Sequence, residues 1–153
     1  MPAHATASAP APAVKLATLA EMKSRAARIA MLTAYDATLA AQFDAAGIDV
    51  VLVRDSLGMV VQGQATTLGV TLDHLVYHCQ AVARGLRRAL LLADLPFGSY
   101  PDPATAYRSA ARLVGEGGAA MVKLERAGPV LDCIRYLAER DIPVCAHLGL
   151  MPQ

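Results

Sequence analysis

Four short apolar runs in this chain each lead into residues equipped for catalysis. Residues 50–53 run into Asp55 and Ser56, and residues 90–93 run into Asp94. Met121 and Val122 precede Lys123 and Glu125, and residues 144–146 precede His147. Oxygen ligands at rigid strand ends suit a hard cation such as Mg2+, which takes one or two carboxylates and completes its octahedron with water and substrate. Either aspartate alone could equally cap a helix or end a strand in solvent. Both together, with Lys123 and Glu125 on a third strand, favour a metal-assisted active site over a binding surface. Lys123 lies between apolar residues, where an ammonium needs a partner, so it points to a bound anion or to Glu125. Ser56 opens a turn whose backbone N–H groups could hold a carboxylate. His147 could position a substrate oxygen.

The elements that must carry these residues follow from patterning. Runs of branched and long aliphatics are what strands buried on both faces of a parallel sheet require. Right-handed crossovers place the C-terminal ends of all such strands on one side. We expect a short helix over 16–24, a strand over 29–33 and a helix over 36–46 stopped by Gly47, then a strand over 50–53. Residues 57–70 carry Gly58, Gly63 and Gly69 without a clear period and read as a long loop over the rim. Thr71 caps a helix running to Arg84 or beyond, with Leu72, Leu75, Val76, Cys79 and Val82 in one apolar stripe. A strand at 90–93 follows, then a helix with Asp102 as cap and Pro103 in its first turn. A strand over 120–124, a helix over 129–140 and a strand over 143–147 complete the pattern.

Five β/α-type units at such intervals have the rhythm of a (β/α)8 barrel, whose active sites lie at the C-terminal rim. An open doubly wound sheet fits the bare count as well. Against it, Thr33-Ala34-Tyr35-Asp36 stands where a dinucleotide-type glycine fingerprint would follow the first strand.

Composition excludes other classes. With 55% hydrophobic and 18% charged residues the chain can bury a core. A net charge of +1 argues for neither nucleic acid nor a membrane surface as partner. Cys79, Cys133 and Cys145 are odd in number and contain no CxxC pair, the usage of a reducing, cytoplasmic protein. Residues 1–14, rich in Ala and Pro, read as a disordered tail, with the folded domain over 15–153. His74 and His78 share a helix face but lack the glutamate of a zinc-protease motif, so they read as surface or packing residues.

The segments MLTAYDA, VRDSLGMVVQG, TTLGVTLDHLVYH, LLLADLPFGSY, VKLE and VCAHLGLMPQ, in this order, resemble ketopantoate hydroxymethyltransferases, over residues 29–153. The resemblance implies a (β/α)8 barrel of which this chain holds about the first five units. It implies an enzyme assembled as a large, decamer-like homo-oligomer. Its reaction is transfer of a hydroxymethyl group from 5,10-methylenetetrahydrofolate to 3-methyl-2-oxobutanoate, giving 2-dehydropantoate, with Mg2+ as cofactor. Carried over by position, Asp55, Asp94 and Glu125 resemble the metal site, Glu125 directly or through water. Asp55, Ser56, Asp94, Lys123 and His147 resemble the ketoacid contacts, and the family's general base is expected beyond Gln153. The chain departs from the family at Arg54, where glycine is usual, at Gln64 and Gly69, where histidine and proline are common, and at Arg126-Ala127, where a glycine pair is usual. Two other readings are a catalytically silent fragment acting only in assembly and another Mg2+-dependent ketoacid lyase on a related barrel.

Overall fold

The structure, a computed structural model, describes residues 12–149. Its strands are β1 (Met31–Thr33), β2 (Val50–Val53), β3 (Leu90–Asp94), β4 (Met121–Glu125) and β5 (Val144–His147). All pairings are parallel, and the strands lie side by side in chain order. That order removes the doubly wound alternative, whose sheet reverses direction at a switch point. It is the order of a (β/α) barrel laid open.

The helices are α1 (Leu16–Ser24), α2 (Ala37–Ala45), α3 (Leu57–Val60), α4 (Leu72–Gly85), α5 (Pro103–Gly115) and α6 (Val130–Ala138). The crossover helices α2, α4 and α5 start where a polar side chain satisfies free N–H groups, whereas α6 follows Pro129 without a side-chain cap. Asp36 Oδ1 accepts from the Thr38 and Leu39 amides at 2.8 and 2.9 Å. Asp102 Oδ1 accepts from the Thr105 amide at 2.9 Å, with Pro103 in the first turn. Thr71 accepts from the His74 amide, and the His74 ring accepts in return from the Thr71 amide, both at 3.2 Å. His74 is thereby the second half of a capping box, and His78 Nδ1 bonds the Tyr35 carbonyl at 2.7 Å. Both histidines pack or cap, as expected.

Strand alternation divides the sheet between two cores. Val51, Val53, Leu91, Ala93, Val122 and Leu124 meet the crossover helices, including the α4 stripe of Leu75, Val76, Cys79 and Val82. Val50, Leu52, Leu90 and Leu92 face the other way, where Val14 and Leu19 cover them together with Met121 and Cys145. Val14 falls in the segment expected to be tail, yet it is buried and its amide donates to the Arg88 carbonyl at 2.8 Å. The folded part therefore takes in Val14, because the apolar inner face of the sheet needs a cover. The rest of the expected tail through residue 11 lies outside the described residues.

The stretch over 57–70 is not wholly a loop, since α3 opens it. Four residues were too few to register as a helical period. Within it, a side chain at Gly69 would run into the Gln64 amide. The lack of a side chain at Gly69 thus makes room for Gln64. Gly85 is required by packing: a Cβ there would strike the Ala37 carbonyl where α4 crosses α2.

Asp44 ties the end of α2 to the start of β3. Its carboxylate accepts from the backbone amides of Arg87, Arg88 and Ala89 at 3.2, 2.9 and 2.6 Å. Burial works against that charge, but the three amides outweigh it and hold the carboxyl below its usual range. Asp44→Ala, which strands those donors, should cost roughly 2 kcal/mol in urea unfolding, most of it at neutral pH where the carboxylate is ionised. A loss under about 0.5 kcal/mol would show that water replaces the carboxylate without penalty.

Arg126, directly after β4, has φ +94°. Such a conformation strains any residue with a Cβ and suits glycine, the residue that the resemblance leads us to expect there. Arg126→Gly should therefore raise stability by about 1 kcal/mol, and a destabilised variant would mean that contacts of the arginine side chain outweigh the strain.

Candidate active site

The register of the sheet builds the site. Asp94, the last residue of β3, pairs with Lys123, and Glu125, the last of β4, pairs with His147, the last of β5. In-register neighbours in a parallel sheet point the same way. Lys123 Nζ donates to both oxygens of Asp94 at 3.1 Å and to Glu125 Oε1. His147 Nδ1 stands 3.0 Å from the same Glu125 oxygen. Asp94 is fully buried, and Glu125 and Lys123 are 1% and 6% exposed. The ammonium is thus desolvated between two carboxylates, as the strand pattern around Lys123 required.

The third carboxylate is placed differently. Asp55 lies just beyond β2, is fully buried, and among the described residues neither of its oxygens has a hydrogen-bond partner. Its neighbouring charge is Arg54, whose Nε lies 3.9 Å from Asp55 Oδ1 and likewise has no hydrogen-bond partner. Leaving a buried carboxylate without donors is expensive in a folded protein. Such a group marks a place where something else supplies positive charge.

Titration behaviour follows from this layout. Burial pushes the Asp94 carboxyl up to about 7; Lys123 opposes the shift, and the charges of Asp55 and Glu125 add to it. Burial also raises Glu125, but the hydrogen bonds and charges of Lys123 and His147 outweigh it and hold this carboxyl below its usual value. Neighbouring carboxylates on one rim thereby differ in their hold on a proton, an arrangement typical of acid–base and metal chemistry.

Ser56 Oγ shares a hydrogen bond of 2.6 Å with the Tyr35 hydroxyl. Tyr35 follows β1 as Asp55 follows β2, and its phenol is raised by burial while it feels Arg54, Asp55 and Asp94. Tyr100, in the loop after β3, is pushed up to about 12 by burial against a hydrogen bond with the Glu125 backbone. Neither tyrosine carries a local signal for a role beyond Tyr35's place at a strand end, which it shares with Asp55 and Asp94.

All six expected residues, Asp55, Ser56, Asp94, Lys123, Glu125 and His147, thus come together at the C-terminal ends of the strands. They do not form a three-carboxylate coordination shell: among the described residues no group of three or more His, Cys, Asp or Glu side chains converges to hold a metal. Glu125 is turned toward Lys123 and His147, which leaves Asp55 and Asp94 as the carboxylates suited to direct ligation. Two are sufficient for Mg2+, and the orphaned oxygens of Asp55 fit a cation.

Among the described residues no helix is long and apolar enough to cross a membrane. The fold resembles solved structures at sequence identities that speak for architecture alone. One is 2,3-dimethylmalate lyase, a PEP mutase/isocitrate lyase superfamily member, with TM-score 0.64 and 21% identity over 88% of this chain and 53% of that one. Another is oxaloacetate acetylhydrolase in complex with 3,3-difluorooxalacetate, with TM-score 0.62 and 19% identity over 77% of this chain and 48% of that one. Sequence relatives are far nearer. The 3-methyl-2-oxobutanoate hydroxymethyltransferase of Methylococcus capsulatus is 61% identical over 92% of this chain and 52% of the relative. That of Ralstonia nicotianae is 57% identical over 92% of this chain and 51% of the relative. The chain spans about half the length of these curated relatives. The signature of the ketopantoate hydroxymethyltransferase family matches residues 13–153, and the chain belongs to that family.

Proposed function

We propose that this chain forms the cation- and ketoacid-binding part of an enzyme transferring a hydroxymethyl group from 5,10-methylenetetrahydrofolate to 3-methyl-2-oxobutanoate, giving 2-dehydropantoate for pantothenate biosynthesis. The observation that carries this reading is Asp55, a fully buried carboxylate without a hydrogen-bond partner among the described residues, on the same rim as Asp94. Asp55 and Asp94 would hold Mg2+, with Glu125 reaching it through water. When bound, the cation would withdraw electrons from the ketoacid carbonyl and make the adjacent carbon acidic. The chain's own groups do the rest of the positioning. Ser56, with its hydroxyl oriented by Tyr35, offers a hydrogen bond to the substrate carboxylate. Lys123 supplies fixed positive charge beside Asp94, and His147, anchored on Glu125, presents its other ring nitrogen to a substrate oxygen. The general base is a further element of the proposal, expected from family strands after the fifth.

The setting we infer is a cytoplasmic homo-oligomer without nucleic acid or membrane partners; among the described residues all three cysteines are free thiols. The ketoacid-lyase reading has only fold likeness on its side, whereas the relatives above 50% identity bear the hydroxymethyltransferase name.

Removing either aspartate should remove the cation. Calorimetric titration of the chain with Mn2+ and 3-methyl-2-oxobutanoate should show binding, lost in both Asp55→Ala and Asp94→Ala. Unchanged affinity in Asp94→Ala would overturn the ligand assignment.

The raised Asp94 carboxyl gives a second test. Only its ionised form can hold a cation, so affinity should climb about tenfold per pH unit below pH 7 and level off above it. Without metal the same group acts on stability in the opposite sense. The folded chain keeps this proton up to about pH 7, whereas the unfolded chain releases it near the ordinary carboxylate value. Its contribution is therefore fully present in acid and is lost as pH rises through about 7. Asp94→Asn should flatten the stability dependence; a metal affinity that ignores pH in the parent chain would contradict the assignment.

A further inference from the structure

We propose that Arg54 competes with the divalent cation for Asp55, so that this chain needs more free metal than one with glycine at that position. The inference rests on the cation reading above and adds a residue that this reading does not use. Arg54 stands immediately before Asp55, with Nε 3.9 Å from Oδ1. That is within the range of an ion pair and beyond that of a hydrogen bond. Among the described residues Arg54 Nε and both Asp55 oxygens have no hydrogen-bond partner. The guanidinium therefore compensates the buried charge without any directional bond that would fix the pair.

Such compensation is exchangeable. A divalent ion on Asp55 would bring like charges together in a poorly solvated place, where Coulomb terms are far larger than in water. An arginine cannot relieve that repulsion by losing its proton. It can only move away, and its side chain, 26% exposed, has a way out to solvent while the Asp55 side chain is wholly buried. Metal entry therefore has to displace or crowd a cation already in place. Glycine would impose no such competition. The same geometry gives Arg54 a role without metal, because it is the nearest positive charge to a carboxylate that would otherwise be buried alone, a costly state.

Three variants separate charge from bulk: Arg54→Gln keeps length and removes charge, Arg54→Lys keeps charge, and Arg54→Gly restores the family residue. Mn2+ binding to each purified chain would be measured by calorimetry and by the electron paramagnetic resonance signal of free Mn2+, with Asp55→Ala as the control for site occupancy. Arg54→Gln and Arg54→Gly should bind at least tenfold more tightly than the parent, and Arg54→Lys within about threefold of it. Thermal unfolding gives a second reading. Arg54→Gln should melt lower than the parent without metal and gain more from Mg2+. Equal Mn2+ affinity in the parent and Arg54→Gln, with binding lost in Asp55→Ala, would overturn the competition while leaving the cation site standing. Tightening in Arg54→Gly but not in Arg54→Gln would assign the effect to bulk and overturn the proposal as stated. Absence of Mn2+ binding in every variant would overturn the cation site and the competition together.

Discussion

A lysine ammonium buried between two carboxylates is the interaction on which the rim depends. Lys123 reaches Asp94 on the strand before it and Glu125 on its own strand, and Glu125 in turn holds His147 on the strand after. One cation thereby links the ends of β3, β4 and β5. Buried ion pairs of this kind seldom stabilise a fold more than a well-packed apolar cluster would, because each charge loses its hydration. Removing one partner is worse, since it leaves the others uncompensated. The network is therefore self-enforcing once formed, and its cost is most readily understood as serving the site.

Charge balance explains what the rim lacks. Among the described residues Asp55, Asp94 and Glu125 are met by Lys123 and Arg54, and of these two cations Lys123 alone is hydrogen-bonded to them. Lys123 satisfies Asp94 and one oxygen of Glu125. Among the described residues Asp55 keeps two oxygens and Glu125 keeps one without a hydrogen bond. The deficit is concentrated on the side of β2, next to the Ser56 hydroxyl and the Tyr35 phenol. The proposed cation and ketoacid contacts rest on this uneven distribution.

The sheet presents this rim because its two faces are closed by different means. The crossover helices cover one face, as any β/α repeat demands. On the other, Val14 and Leu19 pack under the apolar half of the strands, leaving the charged residues at the opposite ends of the same strands. β1 stays exposed along its length, with Met31 and Leu32 at 50% and 43% exposure, as befits a strand at the sheet edge.

Much of this was legible in the residues themselves. Short aliphatic runs ending in Asp, Lys, Glu or His announce buried parallel strands, and Asp36, Thr71 and Asp102 announce the helices between them, because these signals are local. The same locality put all six site residues at strand ends. What the tertiary structure decided was every property that depends on which strands are neighbours. Consecutive strand order separated a barrel-type sheet from a doubly wound one with the same count. The pairing of Asp94 with Lys123 and of Glu125 with His147 is a matter of register, and it sets Glu125 against Lys123, one of the two partners that the apolar surroundings of Lys123 pointed to. The place of Val14 under the sheet, the hydrogen bond of Tyr35 to Ser56 and the positive φ of Arg126 are likewise absent from any local pattern. Each arises from contacts between residues far apart in the chain, or from a backbone path that such contacts impose.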